Sequence, residues 1–158
     1  MIRCLPRGIC SPSYHLEGEG HQAEILFNAF GEGGELVIDG RSLTVEKQGF
    51  LSGSWALVDG GRVMATAGKT SAFTRTIEGE GPSGAFRLNA ESVFGRTMLL
   101  ETRNGTAVIS PDHAFTRRAS IGGPAADFTT ACFAFWLTGM LWRRAAKNSS
   151  TAHSHPVG

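Results

Sequence analysis

The chain has 158 residues, with 15 Lys and Arg against 14 Asp and Glu, a net charge of +1. Apolar residues make up 41 % and charged residues 18 %, which excludes a disordered, high-charge chain, and the near-zero net charge argues against a general nucleic-acid binder. The length fits one domain with a sizeable core, and 21 glycines, against a usual share of about 7 % and without a collagen period, predict many turns.

Residues 1–13 read as an N-terminal arm. They begin MIRCLPRGIC, which holds no apolar stretch of signal-peptide length. Cys4 and Cys10 have no second Cys/His pair at zinc spacing, and Cys132 lies far from both in an apolar run. An odd number of scattered thiols points to unpaired cysteines and a reducing compartment. The expected location is cytoplasmic, either free or peripheral to a membrane.

From residue 14 the chain reads as short strands and turns. Residues 24–30 form one predicted strand. Residues 35–45 (ELVIDGRSLTV), 54–67 (SWALVDGGRVMATA) and 97–109 (TMLLETRNGTAVI) each place Asx-Gly between two β-prone runs. Asp, Asn and Gly tolerate the positive φ that a tight hairpin turn demands. Residues 73–78 (FTRTIE), 85–90 (AFRLNA) and 114–119 (AFTRRA) alternate apolar and polar side chains, and 78–84 (EGEGPSG) reads as a turn. Ten to twelve strands result. Asp39-Gly40 and Asp59-Gly60 lie 20 residues apart, but no period is evident through the whole chain, which suggests a meander and not a solenoid.

Pro124 ends the strand pattern, and Asp127 is a candidate N-cap. Residues 128–142 (FTTACFAFWLTGMLW) are uncharged, and Arg143, Arg144 and Lys147 follow, well placed for a helix C-terminus. A helix over about 126–146 is apolar on nearly every side, so protein or lipid must surround it. Fifteen residues span roughly 22 Å, short of the roughly 30 Å hydrocarbon core of a bilayer. Three settings remain: enclosed by a barrel, inserted in a membrane, or packed on an open sheet. The first is the natural one, because ten to twelve strands close into a barrel too wide for side chains alone to fill. The fold expected is mainly β, an antiparallel barrel of about twelve short strands enclosing a hydrophobic C-terminal helix. It occupies residues 14–147, and a disordered polar tail follows over 148–158.

These features together resemble the tubby C-terminal-like superfamily, which includes tubby domains, phospholipid scramblases and LURP-one-related proteins. The segments that carry the likeness are 50–61 (FLSGSWALVDGG) with its return strand and 133–144 (FAFWLTGMLWRR). In outline the chain is most similar to small bacterial members with the compact barrel alone. The resemblance implies a twelve-stranded barrel around a hydrophobic C-terminal helix. It also implies a binding role without catalysis, directed at lipid or a partner. The Pro-rich, Cys-rich and acidic calcium-binding segments of scramblases have no counterpart here. The basic phosphoinositide pocket of tubby domains has no residue-by-residue match.

Catalytic and metal motifs are absent from the sequence. His15, His21 and His113 are widely spaced and make no HxH or HExxH pattern, the pair His153 and His155 lies in the polar tail, and there is no G-x-S-x-G elbow and no P-loop. Gly31-Glu32-Gly33-Gly34 lacks the lysine and following helix of a phosphate loop, and Asp112-His113 has no nucleophile beside it. No metal or other cofactor is expected. One asymmetry stands out. Residues 1–112 hold 10 basic and 13 acidic groups, whereas 113–158 hold Arg117, Arg118, Arg143, Arg144 and Lys147 against Asp127 alone. These five cations are the candidate contacts for an anionic headgroup, although neighbours in a regular strand, such as Arg117 and Arg118, would face opposite sides. The function expected is a non-enzymatic binding module for anionic lipid headgroups or a protein partner. The alternatives are a structural interaction protein with no small ligand and an enzyme whose site the sequence does not reveal.

Overall fold

The computed structural model describes residues 1–9, 11–49, 53–124 and 127–152. Twelve strands run β1 (Ile2–Pro6), β2 (Tyr14–Gly18), β3 (His21–Phe27), β4 (Gly34–Ile38), β5 (Arg41–Gln48), β6 (Ser54–Asp59), β7 (Arg62–Lys69), β8 (Ile77–Gly81), β9 (Gly84–Ala90), β10 (Met98–Thr102), β11 (Gly105–Pro111) and β12 (Ala119–Gly122), followed by helix α1 (Phe128–Ala152). Each strand pairs antiparallel with its sequence neighbour. β1 returns to β12, with Ile2 opposite Ile121 and Cys4 opposite Ala119, and closes the barrel.

Alternation sets the inside. Leu36 and Ile38 of β4, Phe86 and Leu88 of β9, and Ala107 and Ile109 of β11 are buried, while their neighbours face outward. These inward rows alone would leave a hole in a twelve-stranded barrel. α1 fills it, and residues 130–141 are buried all round. Phe27 stacks on Trp136 with ring centres 5.6 Å apart, while Tyr14 meets Phe135 and Phe86 meets Phe133 edge-on. The Trp136 indole N–H donates to the Leu26 carbonyl at 3.2 Å. Asp127 caps the helix, accepting from the Thr130 backbone N–H at 2.9 Å and from the Thr130 hydroxyl at 2.7 Å. No helix among the described residues is long and apolar enough to cross a membrane.

The two ends of the barrel differ. At the N-terminal end of α1, two-residue turns at 19–20, 39–40, 60–61, 82–83 and 103–104 join the strands. Asp39 and Gly40 both take positive φ, 49° and 81°, which is why Asx-Gly suits this hairpin. In the hairpin at 54–67 the turn falls one step later, on Gly60-Gly61. At the other end, where α1 emerges, the connections 7–13, 28–33, 49–53, 70–76, 91–97 and 112–118 are five to seven residues long.

Several segments differ from expectation. The N-terminal arm supplies β1, with Ile2 and Cys4 facing the lumen. Strands were expected over 73–78 and 114–119, but Phe73 and Phe115 sit in loops and are almost fully exposed, and β8 and β12 begin four to five residues later. The predicted turn at 78–84 is mostly strand, with only Pro82-Ser83 outside the ladder. α1 runs to Ala152, so 148–152 are helical; Cys10, 50–52, 125–126 and 153–158 lie outside the described residues.

Candidate functional site

The long loops share a pattern that the strand alternation hides. Ile9, Phe30, Phe73, Phe94 and Phe115 each occupy a long loop, and all are 93 to 100 % exposed. The last three are 21 residues apart and each precedes an arginine by two positions, in Phe73-Thr74-Arg75, Phe94-Gly95-Arg96 and Phe115-Thr116-Arg117. A period of about 21 residues, one hairpin, therefore does run through the chain. Leu51 falls at the matching position of the sequence and lies outside the described residues.

Each of these arginines ties its loop to the next one around the barrel. Arg75 donates to the Gly95 carbonyl at 2.9 Å, Arg96 to the Thr116 carbonyl at 3.3 Å, and Arg117 to the carbonyls of Gly8, Ile9 and Ser11. The last link crosses the β1–β12 seam. Backbone carbonyls take these bonds, and among the described residues no carboxylate pairs with the three guanidinium groups.

Two of them join Arg143 from α1 at a cavity of about 250 Å³ beside the emerging helix. The guanidinium of Arg96 lies 4.7 Å from the Trp142 ring centre, Arg117 lies 5.5 Å from Tyr14, and Arg143 lies 5.2 Å from Phe27. These separations are in the range where a cation is attracted to an aromatic face. Pro12, Gly139 and Ala146 complete the wall, and no carboxylate lines it. Gly139 matters because an added Cβ would run into the Phe27 ring, which packs directly on the helix backbone. The Trp142 indole N–H is held by the Arg96 carbonyl at 2.9 Å.

The five cations singled out in the sequence separate into three settings. Arg117 and Arg143 meet at this cavity. Arg144 forms an ion pair with Glu32, which also accepts from Lys47 at 3.2 Å, and with Lys147 it lines a smaller cleft of about 40 Å³. Burial raises the Glu32 carboxyl, but Arg144 and Lys47 outweigh it and hold the group below the usual carboxylate range. Arg118 is exposed, with no ion pair among the described residues. Both arginines at 117 and 118 lie in a loop, so strand alternation does not govern them. Sequence reasoning missed Arg96 and the aromatic partners Tyr14, Phe27 and Trp142; the repeated Phe-x-Arg triplet was the available signal.

Elsewhere the chemistry is sparse. Cys4 and Cys132 are buried and unbonded, and burial pushes both thiols up. His15 lies on the outer wall, 2.7 Å from Glu24, which also pairs with Arg7. Among the described residues no three His, Cys, Asp or Glu side chains gather as a metal cluster. No family model, curated protein or solved structure matches the chain.

Proposed function

We propose that the chain is a non-enzymatic binding module that docks the long-loop end of its barrel on an anionic membrane surface. The observation that carries this reading is the polarity of the barrel. The six long connections and residues 142–152 hold eight Lys and Arg against three carboxylates. The turns at the opposite end, with residues 123–127, hold one arginine against three carboxylates. At the long-loop end an apolar tip stands ahead of a guanidinium in successive loops. That is the depth order of an interface, with apolar groups at the acyl boundary and cations at the phosphates. Each basic residue near such a surface contributes about 1 kcal/mol.

The emerging helix fixes which part of this end makes contact. Its last eleven residues extend about 16 Å past Leu141, so a flat surface cannot touch all six loops at once. Arg144 binds Glu32 and Arg143 donates to the Asn28 carbonyl, and α1 approaches β3 and β4 most closely. The helix thus leans toward the 28–33 loop. The docking face is the opposite one: loops 70–76, 91–97 and 112–118, with Phe73, Phe94 and Phe115 at their tips.

Co-sedimentation with phosphatidylcholine vesicles, with and without phosphatidylserine, tests this. Pelleting is expected only with the anionic lipid, weakening as salt rises and falling sharply in a Phe94→Ser, Phe115→Ser double variant. Failure to pellet at low salt, or equal pelleting with neutral vesicles, rejects the reading.

A further inference from the structure

We propose that the cavity between Arg96, Arg117 and Arg143 is a ligand site in its own right. It takes a small amphiphilic anion, a carboxylate or phosphate monoester carried on an apolar body about the size of an aromatic ring. The claim concerns binding in solution and holds whether or not the loops dock on a membrane.

Three features of the cavity point to this class. The first is charge. The three guanidinium groups converge with no carboxylate among them, and a guanidinium has five N–H donors. Arg96 and Arg143 each give a single hydrogen bond, to the Thr116 and Asn28 carbonyls, so most of their donors remain available to an anion. Stacking on Trp142 and Phe27 fixes each charge in place, which lowers the ordering cost of binding.

The second is the wall. Tyr14, Phe27 and Trp142 present aromatic surface that a bare inorganic ion would not use. The volume, about 250 Å³, exceeds the roughly 150 Å³ that suffices for benzene in a dry apolar cavity. A ring-sized body with a charged group attached therefore fits.

The third is an unused polar group. Tyr14 lines the cavity, and its hydroxyl, which solvent reaches, has no protein hydrogen-bond partner among the described residues. A phenol hydroxyl can both donate and accept. Here the group that can pair with it is an oxygen of the bound anion.

The test is calorimetry on the whole chain, with Trp142 fluorescence as a second readout. The probes are phenyl phosphate and phenylacetate as soluble anions and dihexanoyl phosphatidic acid, kept monomeric, as a lipid-derived one. The controls are inorganic phosphate and benzyl alcohol. The soluble probes or the lipid probe should bind, and each control should bind at least about ten-fold more weakly, because each lacks one of the two contacts. The tighter class identifies the source of the ligand. Arg143→Gln should weaken binding by about ten-fold, and Tyr14→Phe, which removes only the hydroxyl, should weaken it several-fold with the melting temperature unchanged. The proposal is overturned if no probe binds at about 1 mM, if a control binds as tightly as the probes, or if neither substitution alters binding.

Discussion

Asp127 shows how much a single side chain settles. Its carboxylate takes the Thr130 N–H and hydroxyl and fixes where α1 begins. Burial would raise its pKa, but these bonds and one from Ser83 hold it below the ordinary value of 3.8. Stability linked to a depressed carboxylate is complete above the unfolded pKa and is lost as pH falls through the folded one. Asp127→Ala is expected to cost about 1 kcal/mol. Asp127→Asn keeps a capping oxygen and lacks the titrating group, so its deficit against the parent should be present at neutral pH and shrink well below pH 3.8. Denaturant melts at the two acidities measure this, and a deficit independent of pH would contradict it. Gly34 is a second such position. A Cβ there would overlap the Leu26 carbonyl oxygen and Trp136 Nε1, the two atoms of the bond that orients the central indole. Gly34→Ala should lower stability by about 1–3 kcal/mol in thermal melts, although Ala usually improves a strand. The cap was legible in the sequence, because Asp before an apolar run has a local meaning. The requirement at Gly34 was not, since the indole that demands it lies about a hundred residues away.

Among the elements, the hairpins with Asx-Gly or Gly-Gly turns were legible because turn chemistry is local. The misread segments share a different cause. Phe73-Thr74-Arg75-Thr76 alternates as a strand does, yet Phe73 has no inward position to fill, and the Thr70 N–H to Thr76 carbonyl bond closes the segment as a loop. Glu78-Gly79-Glu80-Gly81 reads as part of a turn, yet it belongs to a strand that pairs on both sides. Gly79 is small because the Phe86 ring occupies the place of its side chain, and Gly81 because Thr130 does. In both cases the tertiary partner overrides the local pattern. β1 was hidden by brevity: Ile2 and Cys4 are too few to announce an alternation, and the partner β12 is more than a hundred residues on. Removal of residues 1–6 leaves β2 and β12 as open edges, and open edges recruit other chains. That truncation should elute as aggregate in size-exclusion chromatography, whereas a monomer with native circular dichroism would show the barrel does not need its seam.

On the scale of the whole molecule, the barrel and the helix are each incomplete alone. Residues 130–141 are buried on every side, so the fifteen-residue apolar run was the most informative stretch of the sequence for the fold. It carried little about the site, which depends on loops that only closure of the barrel brings side by side. Trp136→Ala should cost about 3–5 kcal/mol, much of a typical total of about 5–15 kcal/mol. Trp136→Asp buries a charge without a partner and should yield no cooperative melt at all. Deletion of residues 128–147 should send the remainder into the pellet, and a soluble, folded remainder would mean the lumen can be filled some other way. The order of the elements has a consequence for biosynthesis. All twelve strands leave the ribosome before the helix that fills them. At roughly 5–20 residues per second, the 25 residues of α1 take seconds to appear, while hairpins form in microseconds. During that interval the nascent chain holds paired hairpins around an unfilled lumen, and the seam between its first and last strands has no support. Final closure therefore waits for α1, and arrested chains that stop short of α1 should be captured by chaperones far more than chains arrested after α1 has emerged.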